Sequence, residues 1–350
     1  AYCLYHIESN NNANITVYGE YLENNPPVYE AQIIEHSSWS CVHGVERWRS
    51  NCGCNTGREG WSQEWRGPLR DALDSLNEKL TQIYEKEVSV HSNDPWKMRD
   101  EYISIILDRS VENVENFLTG HCSKELAHED KINCLKLLEL QRNAMLMYTS
   151  CGWFFDEISG IETTQVLQYA ARAIQLNQEI TNQSLETDFI EKLRKAPSNL
   201  PKYGNGANVY EKLVKPAQLD LLRVGVHYAI SSLFNEYPER VKLYCYNAES
   251  EIYEVVRSGK LKLAIGRARI KSEITWNETD ITFCVLHLGG HILNGGVREF
   301  TSEEAFNTMR EEIKTAFQRS DVGDVIRLMD THFGTHNYTL WHLFRDERRK

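Results

Sequence analysis

The apolar pattern is helical from residue 66 to about 236, then changes to short pieces that alternate or run apolar from 237 to 300. A helix buries one stripe at a period of 3.6 and a strand buries alternate side chains, so this switch of period constrains the fold before any motif is read. In the first stretch Val166, Tyr169, Ala170, Ala173 and Ile174 mark one face of a helix over 161–181, and the Leu- and Met-rich run 127–149 marks another. Asp94-Pro95, Ser159 with Glu162, and Asn208 with Glu211 supply helix starts. In the second stretch VKLYCY, EIYEVV, KLKLAIG, ITFCVLHL and HILNGGV read as short strands. Asn247-Ala248-Glu249-Ser250, Ser258-Gly259 and Gly289-Gly290 separate them, the last a two-residue hairpin turn. Helix resumes at Thr301-Ser302-Glu303-Glu304.

The expected class is therefore mainly α with a small antiparallel β-sheet domain, an α+β arrangement. A chain of 350 residues exceeds the ~250–300 at which single cores stop growing, so several units are expected. They are a helical domain over 66–236, a small β domain over 237–300 and C-terminal helices over 301–350. Ahead of them, residues 1–65 read as a short helix, the strand candidate NITVYG (14–19), a helical turn, a Pro26-Pro27 break and the run VYEAQII (28–34), the pattern of the tail of a β/α unit. The start at Ala1 inside a helical pattern and the uncapped end HLFRDERRK lead to the expectation of a chain cut at both ends.

Charge and cysteine usage exclude whole classes of function. Fifty acidic residues against 39 basic ones give −11, a field that repels phosphate backbones and anionic lipid, so neither a nucleic acid nor a membrane is an expected partner. No apolar run reaches the ~18 residues that cross a bilayer. The nine cysteines are odd in number and several (Cys134, Cys245, Cys284) lie in apolar runs, which fits a reducing cytoplasm better than a disulfide framework. The absence of a Walker loop, a G-x-G-x-x-G turn and a G-x-S-x-G elbow removes nucleotide-binding and serine-hydrolase readings. His287 with His291 and His332 with His336 lack a third ligand nearby and are expected to be structural or on the surface.

Two segments are dense in chemistry. The stretch 37-SSWSCVHGVERWRSNCGCNTGREGWSQEWRG-67 holds Trp39, Trp48, Trp61 and Trp65. Indoles in a loop suit either a half-wet sugar surface, with His43, Glu46, Arg47 and Arg49 as hydroxyl partners, or a hydrophobic seam between units. Cys41, His43, Cys52 and Cys54 in the same stretch form C-x-H-x8-C-x-C, a complete set for tetrahedral zinc. The usual knuckle places two residues between paired ligands rather than one, and that spacing weighs against a metal in favour of packed thiols. The second segment, 149-TSCGWFFDEISGIETTQ-165, runs Trp153, Phe154 and Phe155 into Asp156 and Glu157, two carboxylates able to grip vicinal hydroxyls or to face a helix N-terminus.

SSWSCVHGVERWRSNCGC and YTSCGWFFDEISGIETTQVLQYAARAIQL resemble the C-terminal region of glycoside hydrolase family 57-type proteins, the α-amylase/α-mannosidase group, in which a domain of unknown function follows the catalytic barrel. The resemblance covers most of the chain. It implies an incomplete β/α barrel with a glutamate nucleophile and an aspartate acid/base, a helical domain closing over the active site, retaining chemistry on α-linked glucans, and no cofactor. The opening AYCLYHIESNNNANITVYGEYLE would then be the last barrel helix and strand, with both catalytic carboxylates upstream of Ala1. His43-Gly44 is similar to the family's Trp-His-Gly loop. Val42 replaces the aromatic there, which leaves Trp39 or Trp48 to stack. Trp153 stands where relatives have Ser-Asp-Trp; this chain has Cys151-Gly152-Trp153, with Asp156 as a substitute for the missing acid.

On this basis the chain is expected to be the C-terminal part of a retaining α-glycosidase acting on an oligo- or polysaccharide. Trp39, His43, Arg47 and Trp48 would form one wall of the sugar cleft, and Trp153, Asp156 and Glu157 an opposing lid across a solvent-filled gap. The alternatives are a non-catalytic carbohydrate-binding or interaction module, and a structural domain stabilised by zinc or thiols.

Overall fold

The computed structural model of the chain describes residues 2–11 and 13–339. Helices α1 (Tyr2–Ser9) and α2 (Tyr18–Asn24) open it. Every described residue from 2 to 37 is exposed. The strand candidate 14–19 does not form a strand, and the run 28–34 is irregular. A strand needs a neighbour for its backbone groups, and none among the described residues pairs with 14–19; instead Thr16 Oγ1 donates to Glu20 Oε2 at 2.6 Å and the chain turns into α2.

The helical part comprises α3 (Arg66–Val88), α4 (Pro95–Glu101), α5 (Ile103–Leu107), α6 (Val111–His121), α7 (His128–Leu146), α8 (Ile161–Thr181), α9 (Glu186–Leu193), α10 (Gly206–Val209) and α11 (Leu221–Ser231). Leu69, Leu73, Leu76 and Leu80 of α3 pack with Leu140 and Ala144 of α7 and with Leu167, Ala170 and Ile174 of α8 in one core. A second core joins Tyr84, Met98, Tyr102, Val114, Leu135 and Leu138. Asp94 caps α4 as expected, accepting from Lys97 N at 3.0 Å. Two other caps are displaced from the expected residues. α8 begins after Gly160 without a side-chain cap, because the Glu157 carboxylate binds Ser159 N. The cap of α10 is Asn205, three residues before Asn208.

Strands β1 (Arg240–Leu243), β2 (Tyr246–Ser258), β3 (Leu261–Ser272), β4 (Glu278–Gly289), β5 (Ile292–Glu299) and β6 (Asn337–Tyr338) pair antiparallel in chain order among the described residues. Gly289 and Gly290, both at positive φ, make the β4–β5 turn as expected. The first turn is at Tyr244-Cys245 rather than 247–250. Tyr244 takes φ 57°, and the polar run continues as strand because Glu249 lies opposite Arg240 and bonds its guanidinium at 2.8 Å.

Both faces of the sheet are covered, which explains why β3 and β4 are apolar on consecutive residues. Ala264, Ala268, Phe283 and Val285 face α11, while Leu263, Ile265, Cys284 and Leu286 face α12 (Glu303–Gln318) and α13 (Val322–Phe333). By packing, α11 thus belongs with the sheet, although it lies inside the expected helical domain. The turn between β3 and β4 reaches into the second helical core, where Trp276 is 8% exposed. Arg109 reinforces that joint by bonding Glu139 Oε1 at 2.8 Å, the Tyr102 hydroxyl at 3.2 Å and the carbonyl of Ile274 at 3.4 Å. Among the described residues no helix is long and apolar enough to cross a membrane.

Candidate functional site

The stretch 36–46 is a tight loop. Ser38 Oγ donates to the carbonyl of Gly44 at 3.1 Å, and Gly44, at φ +69°, approaches the His36 carbonyl where a Cβ would collide. Trp39 is 92% exposed and Val42 93%, while Cys41 is buried with its Sγ 3.8 Å from Nδ1 of the exposed His43.

From Arg47 onward the loop is laced to the segment 150–157. The Arg47 guanidinium sits over the Phe154 ring, 4.9 Å from its centroid, and Nη1 reaches the Phe154 carbonyl at 3.5 Å. Trp48 Nε1 donates to the carbonyl of Ser150 at 2.9 Å, Trp65 Nε1 to that of Asp156 at 3.1 Å and Trp153 Nε1 to that of Arg66 at 3.3 Å. Three indole N–H groups thus satisfy backbone carbonyls, as buried tryptophan requires.

The acidic pair is equally committed. Asp156 Oδ2 accepts from Thr56 N at 2.8 Å and from the Thr56 hydroxyl. Glu157 accepts from Ser198 Oγ at 2.6 Å, Asn199 N at 2.8 Å and Ser159 N at 3.1 Å. Trp153, Asp156 and Glu157 are 1%, 3% and 7% exposed. The gap expected between Arg47 and Trp48 on one side and these three on the other is therefore closed. Hydrogen-bond demand is what closes it, since the three indole N–H groups, Asp156 Oδ2 and the Glu157 carboxylate find their partners across the two segments or in 198–199. Arg47, Trp48, Trp153, Asp156 and Glu157 hold the segments together, and Trp39 and His43 remain at the surface.

Two residues in this region carried no sequence signal. Asn199 bridges three pieces of chain, giving Nδ2 to the carbonyls of Ser62 at 2.9 Å and Asp156 at 2.8 Å while Oδ1 accepts from Ser62 N. Its place in a Ser-Asn turn before Pro201 reads only as a loop. Arg66 is fully buried, with Nη1 3.1 Å from the Cys54 carbonyl and 4.0 Å from Cys52 Sγ, and Nη2 3.2 Å from the Phe155 carbonyl. Burial pulls its guanidinium below the usual arginine range, opposed in part by the nearby Cys52, Asp156 and Cys54.

The remaining histidine pairs behave as expected of structural and surface groups. His287 Nε2 lies 3.1 Å from the Gly290 carbonyl inside its own hairpin, and His332 pairs with Glu312 at 2.8 Å. Open cavities lie elsewhere: one of about 540 Å³ is bounded by Phe234, Tyr237, Tyr253, Arg257 and Lys262, and another of about 590 Å³ by Asp94, Glu101, Asn113 and His121. Cys52 and Cys54 are half-buried in the stretch that follows Arg47.

Residues 61–344 match the family model described as Domain of unknown function (DUF3536). No curated protein and no solved structure matches the chain.

Proposed function

The chain belongs to the DUF3536 family, and from that premise we propose that it serves as the C-terminal part of a retaining α-glycosidase of the family 57 type, in which it completes the sugar-binding surface rather than supplying the catalytic carboxylates. The observation that carries this reading is the indole of Trp39, 92% exposed on a loop whose backbone is tied down by Ser38 and Gly44. A flat apolar face held in water with an N–H at its edge matches the C–H face and hydroxyl rim of a pyranose. Support also comes from residues 2–36, where Tyr18, Tyr29 and Ile33 are 90%, 91% and 83% exposed. Apolar area of that extent is what the rest of a β/α barrel would cover.

In this reading the barrel's glutamate attacks the anomeric carbon and its aspartate protonates the leaving oxygen. Trp39 stacks on a sugar ring. Arg47, Trp48, Trp153, Asp156 and Glu157 act at a distance, by fixing the loop 47–66 to the start of α8.

The product of the complete gene should release reducing sugar from an α-glucan with retained anomeric configuration. Trp39→Ala in that protein should lower kcat/KM by about 10-fold, equivalent to about 1.4 kcal/mol of transition-state binding. Trp153→Ala should act through thermal stability instead. Absence of α-glucan hydrolysis by the complete product, or unchanged kinetics for Trp39→Ala, would refute the proposal.

A further inference from the structure

We propose that the cavity between the loop 234–239 and strands β2 and β3 binds a sugar carrying a single anionic group, a phosphate or a carboxylate. The inference stands apart from the glycosidase reading and is tested separately from it.

The ground for the anion is a cationic pair that the sheet leaves without a partner. Arg257 of β2 and Lys262 of β3 stand directly opposite each other in the antiparallel register, so their side chains share one face, and both border the cavity. Like charges placed opposite one another destabilise a strand pair. Elsewhere in the sheet basic residues are compensated: Arg240 bonds Glu249, Arg267 bonds Glu251 and Arg269 bonds Asp280. Among the described residues no carboxylate lies in salt-bridge range of Arg257 or Lys262, and the Lys262 ammonium instead sits 5.9 Å from the centroid of the Phe234 ring. Two adjacent cations without a carboxylate run against a net charge of −11, and an anion seated between them removes their repulsion.

The ground for the sugar is what surrounds the pair. Phe234 and Tyr253 are exposed, yet both rings are held in place. The His287 ring meets Phe234 edge-on, 5.2 Å between centroids, and the Tyr253 hydroxyl donates to the Ser232 carbonyl at 2.8 Å. Tyr237 stacks on Tyr228 at 6.0 Å. Aromatic faces fixed in advance along a solvent-open wall suit the C–H face of a pyranose. Glu236 and Glu239 line the same cavity from the loop that follows Phe234. Carboxylates accept from hydroxyls and repel further negative charge. They favour a ligand with many hydroxyls and one anionic group over a nucleoside triphosphate or a polyanion. The volume, about 540 Å³, is that of a small-molecule site.

The test is titration calorimetry of the whole chain at low ionic strength, where charge interactions are least screened. The probes are glucose 6-phosphate, glucuronate, glucose and inorganic phosphate. At least one of the two anionic sugars should bind about 10-fold or more tightly than glucose and than inorganic phosphate, and the tighter of the two identifies the anionic group. Arg257→Gln/Lys262→Gln should weaken that binding by about 10-fold or more without lowering Tm, because it removes two opposed like charges. Phe234→Ala should weaken the anionic sugar and leave inorganic phosphate unchanged, whereas Arg319→Gln, at the end of α12 on the other face of the sheet, should change neither. Failure of both anionic sugars to bind, binding that survives the double substitution, or inorganic phosphate binding as tightly as the sugar phosphate overturns the proposal. Hydrolysis of α-glucan by the complete product bears on none of these results.

Discussion

Glu157→Gln separates a carboxylate that grips a ligand from one that holds the fold. The side chain is 7% exposed and accepts three hydrogen bonds, from Ser198 Oγ and Ser159 N on Oε1 and from Asn199 N on Oε2. Glutamine has the same shape but must turn its NH2 toward one of the two backbone N–H groups. Ser198 can reverse its hydroxyl; Ser159 N and Asn199 N cannot. Whichever way the amide is placed, one backbone donor loses its acceptor at about 1–3 kcal/mol, and the two surviving bonds lose their charge assistance at up to about 1 kcal/mol each. The sum is about 1–5 kcal/mol. At about 2–4 °C per kcal/mol for a helical unit of this size that is a fall in Tm of several degrees, measured by circular dichroism at 222 nm against an exposed control such as Glu191→Gln. A Tm within about 1 °C of the parent, with weakened glycan binding, would refute the internal role and return Glu157 to the sugar.

Three further outcomes follow from the same contacts. Asp156→Ala removes the acceptor of Thr56 N and the Thr56 hydroxyl, so tryptic cleavage at the exposed Arg58 should accelerate by about 5-fold or more under native conditions, as loss of about 1–3 kcal/mol of charge-assisted bonding predicts. Trp276→Ala empties the joint between the β3–β4 turn and the second helical core and should cost about 3–5 kcal/mol, seen as an earlier urea transition, whereas Trp276→Phe should recover part of it. His227 has its pKa lowered from 6.5 by burial, so the fold favours the neutral ring. Above pH 6.5 both states are neutral and nothing is gained or lost. As pH falls through 6.5 the unfolded chain takes up a proton that the folded chain resists, and stability drops until the folded pKa is passed. Tm measured from pH 8 to pH 5 should therefore fall less steeply in His227→Gln than in the parent.

The fold was legible wherever burial imposes a period. The stripe on α8 could be read because one face of that helix is buried, and the apolar runs of β3 and β4 because both faces of the sheet are covered. The pieces before residue 37 were not, since NITVYG has strand composition but no neighbour to pair with, and composition says nothing about a partner strand. The candidate site was legible in identity and misleading in disposition. Trp48, Trp65 and Trp153 do mark where two distant segments meet, as aromatic density implied. Their N–H groups are spent on backbone carbonyls, so their density measures the polar burden of the joint rather than an opening toward a ligand.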